Sequence, residues 1–138
     1  MSPFLYQLAK KFLFQLDPEQ AHTLTLAGLR TAETMNILGS IMGSPVNDPV
    51  EIMGLKFPNR VGLAAGMDKE ASTVDAFGRL GFGFVETGTF TPLAQSGNPK
   101  PRLFRCIPQQ AIVNHMGINN PGIEEGMENL RARKSFKG

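Results

Sequence analysis

A single cysteine, Cys106, leaves no partner for an internal disulfide, and no group of Cys and His residues has metal-ligand spacing. A disulfide-stapled scaffold and a zinc site are therefore not expected, and a reducing, cytosolic compartment fits. Cys106 stands between "LFR" and "IP" in a strand-like run, where a small core residue is expected rather than a nucleophile. Long apolar runs are missing as well, since none approaches the roughly 20 residues needed to cross a bilayer. The N-terminal "MSPFLYQLAKKFLFQLDPEQAH" is interrupted by Lys10 and Lys11 and has no small-residue cleavage site after it, which argues against a signal peptide. Charge of one sign is scarce. The net charge is +2, so a nucleic-acid partner is not expected, and the basic "RARKSFKG" reads as a solvated helix end. There is no phosphate-binding P-loop and no Gly-x-Ser-x-Gly elbow. "GFGFVE" carries its glycines before the strand and lacks the third, which excludes a Rossmann fingerprint. What is present is a chain of 138 residues, 41% of them hydrophobic, enough for one modest packed domain.

Phe4, Leu8, Phe12 and Leu16 recur every four residues with Leu5, Ala9 and Leu13 beside them, which predicts a short amphipathic helix. "DPEQ" predicts the start of a second: Asp17 as N-cap, Pro18 in the first helical position, Gln20 three residues after the cap, and an end near Met35 or Asn36. Gly39 to Pro49 reads as a Gly/Pro-rich linker. From Val50 the texture changes. "VEIMGLKF" predicts a hairpin about Gly54, and "RVGLAA" a short apolar strand. "STVDAFGRLG" predicts a helix with Val74, Phe77 and Leu80 on one side, followed by a strand in "FGFVETGTF". Strand, helix and strand within about 30 residues make a βαβ unit and hence a parallel pair. "PRLFRCIPQQAIVN" predicts a further hairpin, and "PGIEEGMENLRARK" a helix with Pro121 near its start.

Both parallel strands end in small or hydroxyl residues, Ala64-Ala65-Gly66 on one and Thr87-Gly88-Thr89 on the other. In parallel α/β architectures the carboxyl ends of the strands build the site, so these ends are expected side by side, facing a ligand. Lys69 follows the first end and suits an anionic group or negative charge developing on a cofactor ring. Alone it would be read as a surface lysine. Asp68 is expected to pair with it. "NHMGINNPG" packs three amides and two glycines after an apolar strand; amides that both donate and accept suit a flat heterocycle with imide and carbonyl groups, and the same composition suits a turn.

"NRVGLAAGMDK", "LGFGFVETGTFTPLAQSGNPKPRLFR" and "IVNHMGINNPG" resemble the successive signatures of the dihydroorotate dehydrogenase family. "LFQLDPEQAH" resembles the N-terminal lobe of its quinone-dependent, membrane-associated class (class 2). The similarity runs through nearly the whole chain. It implies an α/β protein: a two-helix, membrane-associated quinone-tunnel lobe over residues 1–45, then the first part of an FMN-binding (β/α)8 TIM barrel over 46–138. The implied reaction, in pyrimidine biosynthesis, is oxidation of dihydroorotate to orotate, with proton loss from C5, hydride transfer from C6 to flavin N5, and reoxidation of the flavin by quinone. By the same resemblance Ala65, Gly66, Met67, Asp68, Lys69 and Thr89 would contact FMN. Lys69, Asn114, His115, Met116, Gly117 and Ile118 would line the substrate site, and His22 and Arg105 the quinone tunnel. Peripheral attachment to the cytoplasmic face of a bacterial inner membrane follows.

Three departures from the family pattern stand out: His115 and Ile118 replace the usual Arg and Phe, Ala71 replaces a common Gly, and the barrel region is short. A barrel of this kind takes about 250 residues, whereas 80 run from Asn59 to Gly138. The two barrel strands alone cannot close a barrel. The catalytic Ser base and the phosphate-binding loops are expected beyond the last residue, so this chain by itself is expected to be inactive. The alternatives are another FMN-dependent TIM-barrel oxidoreductase, or a non-catalytic piece that binds membranes through its amphipathic helix.

Overall fold

The computed structural model of the chain describes residues 3–42 and 46–136. Helices α1 (Pro3–Leu13) and α2 (Pro18–Thr34) come first, then a short α3 (Leu38–Met42). Two strands, β1 (Val50–Ile52) and β2 (Leu55–Phe57), form an antiparallel hairpin. The turn between them places both Met53 and Gly54 at positive φ, 55° and 80°, the backbone twist that tight two-residue hairpins favour. The βαβ unit is present as expected: β3 (Gly62–Leu63), α4 (Val74–Arg79) and β4 (Phe84–Val85), with β3 and β4 parallel and Gly62 opposite Phe84. Gly62 has to be glycine there, because a Cβ would run into the Phe84 ring. The chain continues through the antiparallel hairpin of β5 (Leu103–Cys106) and β6 (Ala111–Asn114) to α5 (Ile123–Ala132).

Local chemistry explains these elements. Asp17 caps α2 as its sequence predicts, accepting from the backbone N–H of Glu19 at 2.9 Å and of Gln20 at 3.2 Å. Asn59, buried at the entry to β3, donates to the carbonyls of Gly81 and Val46 and accepts from the N–H of Val61. It thereby ties the start of the first parallel strand to the end of the α4 turn. The core lies where α2, α3 and α4 meet and contains Ala21, Leu38, Ala71, Val74, Ala76 and Phe77. Phe77 meets Phe82 edge-on, and Phe57 meets Phe84 in the same way at 5.2 Å, which seats the first hairpin against β4.

Three local expectations are corrected. α1 stops at Leu13, so Leu16 falls in the turn before α2 rather than on the apolar face. The region expected to be only a linker carries α3, while its Gly43 to Pro45 lie outside the described residues. α5 starts as expected just after Pro121, with Gly122 as its N-cap. Cys106 lies in β5 as expected, but its side chain is only half-buried. No helix among the described residues is long and apolar enough to cross a membrane.

Candidate functional site

The two parallel strands run out side by side, and their ends are joined by backbone hydrogen bonds. The Glu86 N–H donates to the Leu63 carbonyl at 2.9 Å, the Gly66 N–H to the Gly88 carbonyl at 2.8 Å, and the Gly88 N–H to the Asp68 carbonyl at 3.1 Å. Gly66 and Gly88 both have φ +91°, a conformation that any side chain would strain. No atom lies within 4 Å of where a Gly66 Cβ would stand, so the ledge opens onto free space. Ala65, Gly66 and Met67 are exposed on this ledge, and Thr89 stands exposed just past the second end.

Asp68 behaves differently from its neighbours. Its side chain is completely buried, and its carboxylate accepts from the N–H groups of Ser72 at 3.1 Å and Thr73 at 2.7 Å. Burial raises the pKa of this carboxyl, against the pull of those two hydrogen bonds. The expected Asp68–Lys69 pair is therefore corrected: two backbone N–H groups need an acceptor where water is excluded, and Asp68 supplies it. Ala71, inside this loop, has φ 55° and is buried, so it adopts the left-handed conformation that its replacement of a glycine put in question.

Lys69 turns the other way. Its Nζ donates to the Asn119 Oδ1 at 2.6 Å, and its pKa is lowered, first by burial and then by the charge of Arg102. The cavity it faces has a volume of about 460 Å³, within the range of small-molecule sites, and lies between α2 and the strand ends. Ala65, Gly66 and Lys69 form one wall, Asn114, Met116 and Asn119 another, and His22 projects from α2. His22 is half-buried and its pKa is lowered by burial and then by Lys69, which favours the uncharged imidazole.

Not every residue expected at the site reaches this cavity. His115 stacks on Phe104, ring centroids 5.9 Å apart and nearly parallel, on the hairpin. Gly117 and Ile118 form a left-handed turn with φ 75° and 57°, and Ile118 is mostly exposed. Neither lines the cavity, nor do Met67, Asp68 and Thr89. Arg105 does not line this cavity either: it donates to the carbonyls of Leu16 at 2.8 Å and Leu13 at 3.2 Å, closing the end of α1, and its guanidinium covers the Phe14 ring at 4.7 Å.

Residues that sequence reasoning did not single out complete the walls. Glu19 and Arg30 come from α2, Glu70 from the loop, and Asn119 from the amide-rich run. Glu19 also makes a close ion pair with the buried Arg102, Oε1 lying 2.6 Å from the guanidinium, which holds the Glu19 carboxyl below its usual pKa range. Asn119 was visible as one of three clustered amides. A pair 83 residues apart leaves no local signal.

A family model described as Dihydroorotate dehydrogenase matches residues 49–137. The chain is 64% identical over 138 residues to a protein of Akkermansia muciniphila named "Dihydroorotate dehydrogenase (quinone)", covering 100% of this chain and 40% of that protein. It is 53% identical to a Teredinibacter turnerae protein of the same name, over 97% of this chain and 39% of the relative. Among solved structures it resembles the DHODH of Eimeria tenella. The ligand-free form matches with TM-score 0.71 and 40% identity, and the ferulenol complex with TM-score 0.66 and 39%; each match covers 83% of this chain and about three-tenths of the other. The chain thus spans about two-fifths of the length of the curated relatives it matches. With a match that runs through both strand ends and the amide-rich loop, the chain belongs to the dihydroorotate dehydrogenase family.

Proposed function

We propose that this chain supplies the N-terminal part of a quinone-dependent dihydroorotate dehydrogenase: a helical lobe over residues 1–45 and the opening strands of an FMN-binding (β/α)8 barrel over 46–138. The observation that carries the reading is the pair of parallel strand ends, bonded to each other and open at Gly66, with Lys69 beside them. A flat ring needs a ledge without side chains, and a cation at its rim. The residues present fit FMN on that ground. The chemistry FMN supplies when bound is acceptance of a hydride and return of the electrons to quinone.

The chain's own residues then have distinct tasks. Ala65 and Gly66 let the ring approach the backbone, and Met67 and Thr89 border it. Lys69 balances negative charge on the ring and on a substrate carboxylate. Asn114, on the cavity wall, orients the ring amides of dihydroorotate with its side-chain amide, and Met116 borders the same wall. His22 lies on the α2 side of the cavity, and there it would face the quinone. No residue of 1–138 is assigned as the base. α1 supports peripheral attachment to a membrane: Phe4, Leu8 and Phe12 are exposed, and Lys10 and Lys11 suit anionic headgroups on the cytoplasmic face.

The test is a graft of residues 1–138 onto the remaining length of the Akkermansia muciniphila relative. The grafted protein is expected to hold FMN and to reduce quinone with dihydroorotate. Lys69→Ala is expected to lower kcat/KM by about 100-fold or more, the usual size for loss of a preorganised charge. A graft that folds and holds FMN but does not turn over dihydroorotate overturns the substrate assignment.

A further inference from the structure

Arg102 has no task in the reading above, yet its side chain is buried, only 5% exposed. Its Nε and one terminal nitrogen fork onto the Glu19 carboxylate at 3.2 and 2.6 Å, in the first turn of α2. The other terminal nitrogen donates to the carbonyls of Ser96 and Asn98 and lies 3.5 Å from that of Met116. The Arg102 carbonyl accepts from the His115 N–H at 3.0 Å. One residue thus touches the helical lobe, the 96–98 turn and the loop that follows β6. Gly97 leaves the room for this: a Cβ there would come within 2.8 Å of the guanidinium. A few residues on, the same loop presents Asn119 to Lys69.

We propose that Arg102 is a positioning residue: anchored on Glu19, it sets the register of the 114–119 loop so that Asn119 holds Lys69 beside the strand ends. This rests on the reading of Lys69 and the loop as substrate-facing. The geometry calls for arginine, because a planar fork can serve a carboxylate on one edge and carbonyls on the other. Lysine, a point charge, can keep the carboxylate or the carbonyls but not both.

The test compares Arg102→Lys and Glu19→Gln in the grafted protein. In Arg102→Lys the backbone amides of Asn98 and Asn120 are expected to exchange at least about tenfold faster, the size of one lost charge-assisted hydrogen bond, while those of the β1–β2 hairpin hold. The KM for dihydroorotate is expected to rise by a similar factor, with kcat within about threefold. Glu19→Gln, which keeps the carbonyl contacts, shifts both readouts in the same direction by less. Unchanged exchange at Asn98 and Asn120, a uniform rise that includes the hairpin, or a loss of kcat at constant KM each overturns the proposal. If the unaltered graft has no turnover, the dehydrogenase reading falls, and the exchange comparison alone decides whether Arg102 positions the loop.

Discussion

Asp68 in the strand-end loop is completely buried, whereas Phe12 on α1 is 57% exposed and Phe4 73%. A carboxylate is inside and phenylalanines are outside, the reverse of what hydrophobicity alone assigns. The strand-end loop is folded by its own polar groups: two N–H groups converge on Asp68 and the strand ends bond to each other, so burial there follows from backbone satisfaction. α1 instead presents an apolar face that the described residues do not cover, and Arg105 closes its end. Amphipathic periodicity therefore shows that a helix has a face, but not what covers it.

The largest effect is expected from Asp68→Ala. A buried N–H group, that of Thr73, and a part-buried one, that of Ser72, would lose their acceptor and a small cavity would open, costing about 3 kcal/mol of stability by urea unfolding. A loss under about 1 kcal/mol would mean that Asp68 is not what holds the loop.

Acid separates the two kinds of contact by sign. Glu19, which joins the lobe to Arg102, has its pKa lowered, first by that hydrogen bond. Its share of stability is therefore complete above about pH 4.5, the unfolded value, and is lost as pH falls through the lower folded one. Asp68 has its pKa raised by burial, so its ionisation acts oppositely: that share is complete below about pH 3.8 and is lost as pH rises through the folded value. Urea midpoints between pH 5 and 3 should accordingly fall less steeply in Glu19→Gln and more steeply in Asp68→Asn. Neither change should exceed about 1.4 kcal/mol per pH unit.

Arg105→Ala removes two hydrogen bonds to the α1–α2 corner and the stacking on Phe14. It is expected to cost about 1 kcal/mol, felt locally: amide exchange in α1 speeds up while that of β3 and β4 does not change. Equal acceleration in both regions would show that they unfold as one unit.

The smallest effect is expected at Ala71. Left-handed backbone costs an alanine about 1 kcal/mol. Glycine would relieve that strain but lose a buried methyl worth about 0.8 kcal/mol, and would loosen the unfolded chain. Ala71→Gly should therefore shift the unfolding midpoint by the equivalent of less than about 0.5 kcal/mol. The departure from glycine at this position is tolerated because the methyl is packed.

What the sequence by itself determined is local or nearly so. The Asp17-Pro18 start of α2, both hairpins and the βαβ unit depend on capping, turn chemistry and apolar spacing within a few residues, and so could be read directly. The nearness of the two strand ends followed as well, because a short crossover leaves parallel neighbours. Only the tertiary structure decided the rest. It turned Asp68 inward and Lys69 toward Asn119, since adjacent residues project differently once a loop folds around a buried acceptor. It brought Arg102 to Glu19 across 83 residues and gave Arg105 to the carbonyls of the α1–α2 corner. Such pairs are chosen by which donors and acceptors are left unsatisfied when the lobe and the strands meet, and no spacing along the chain records that choice.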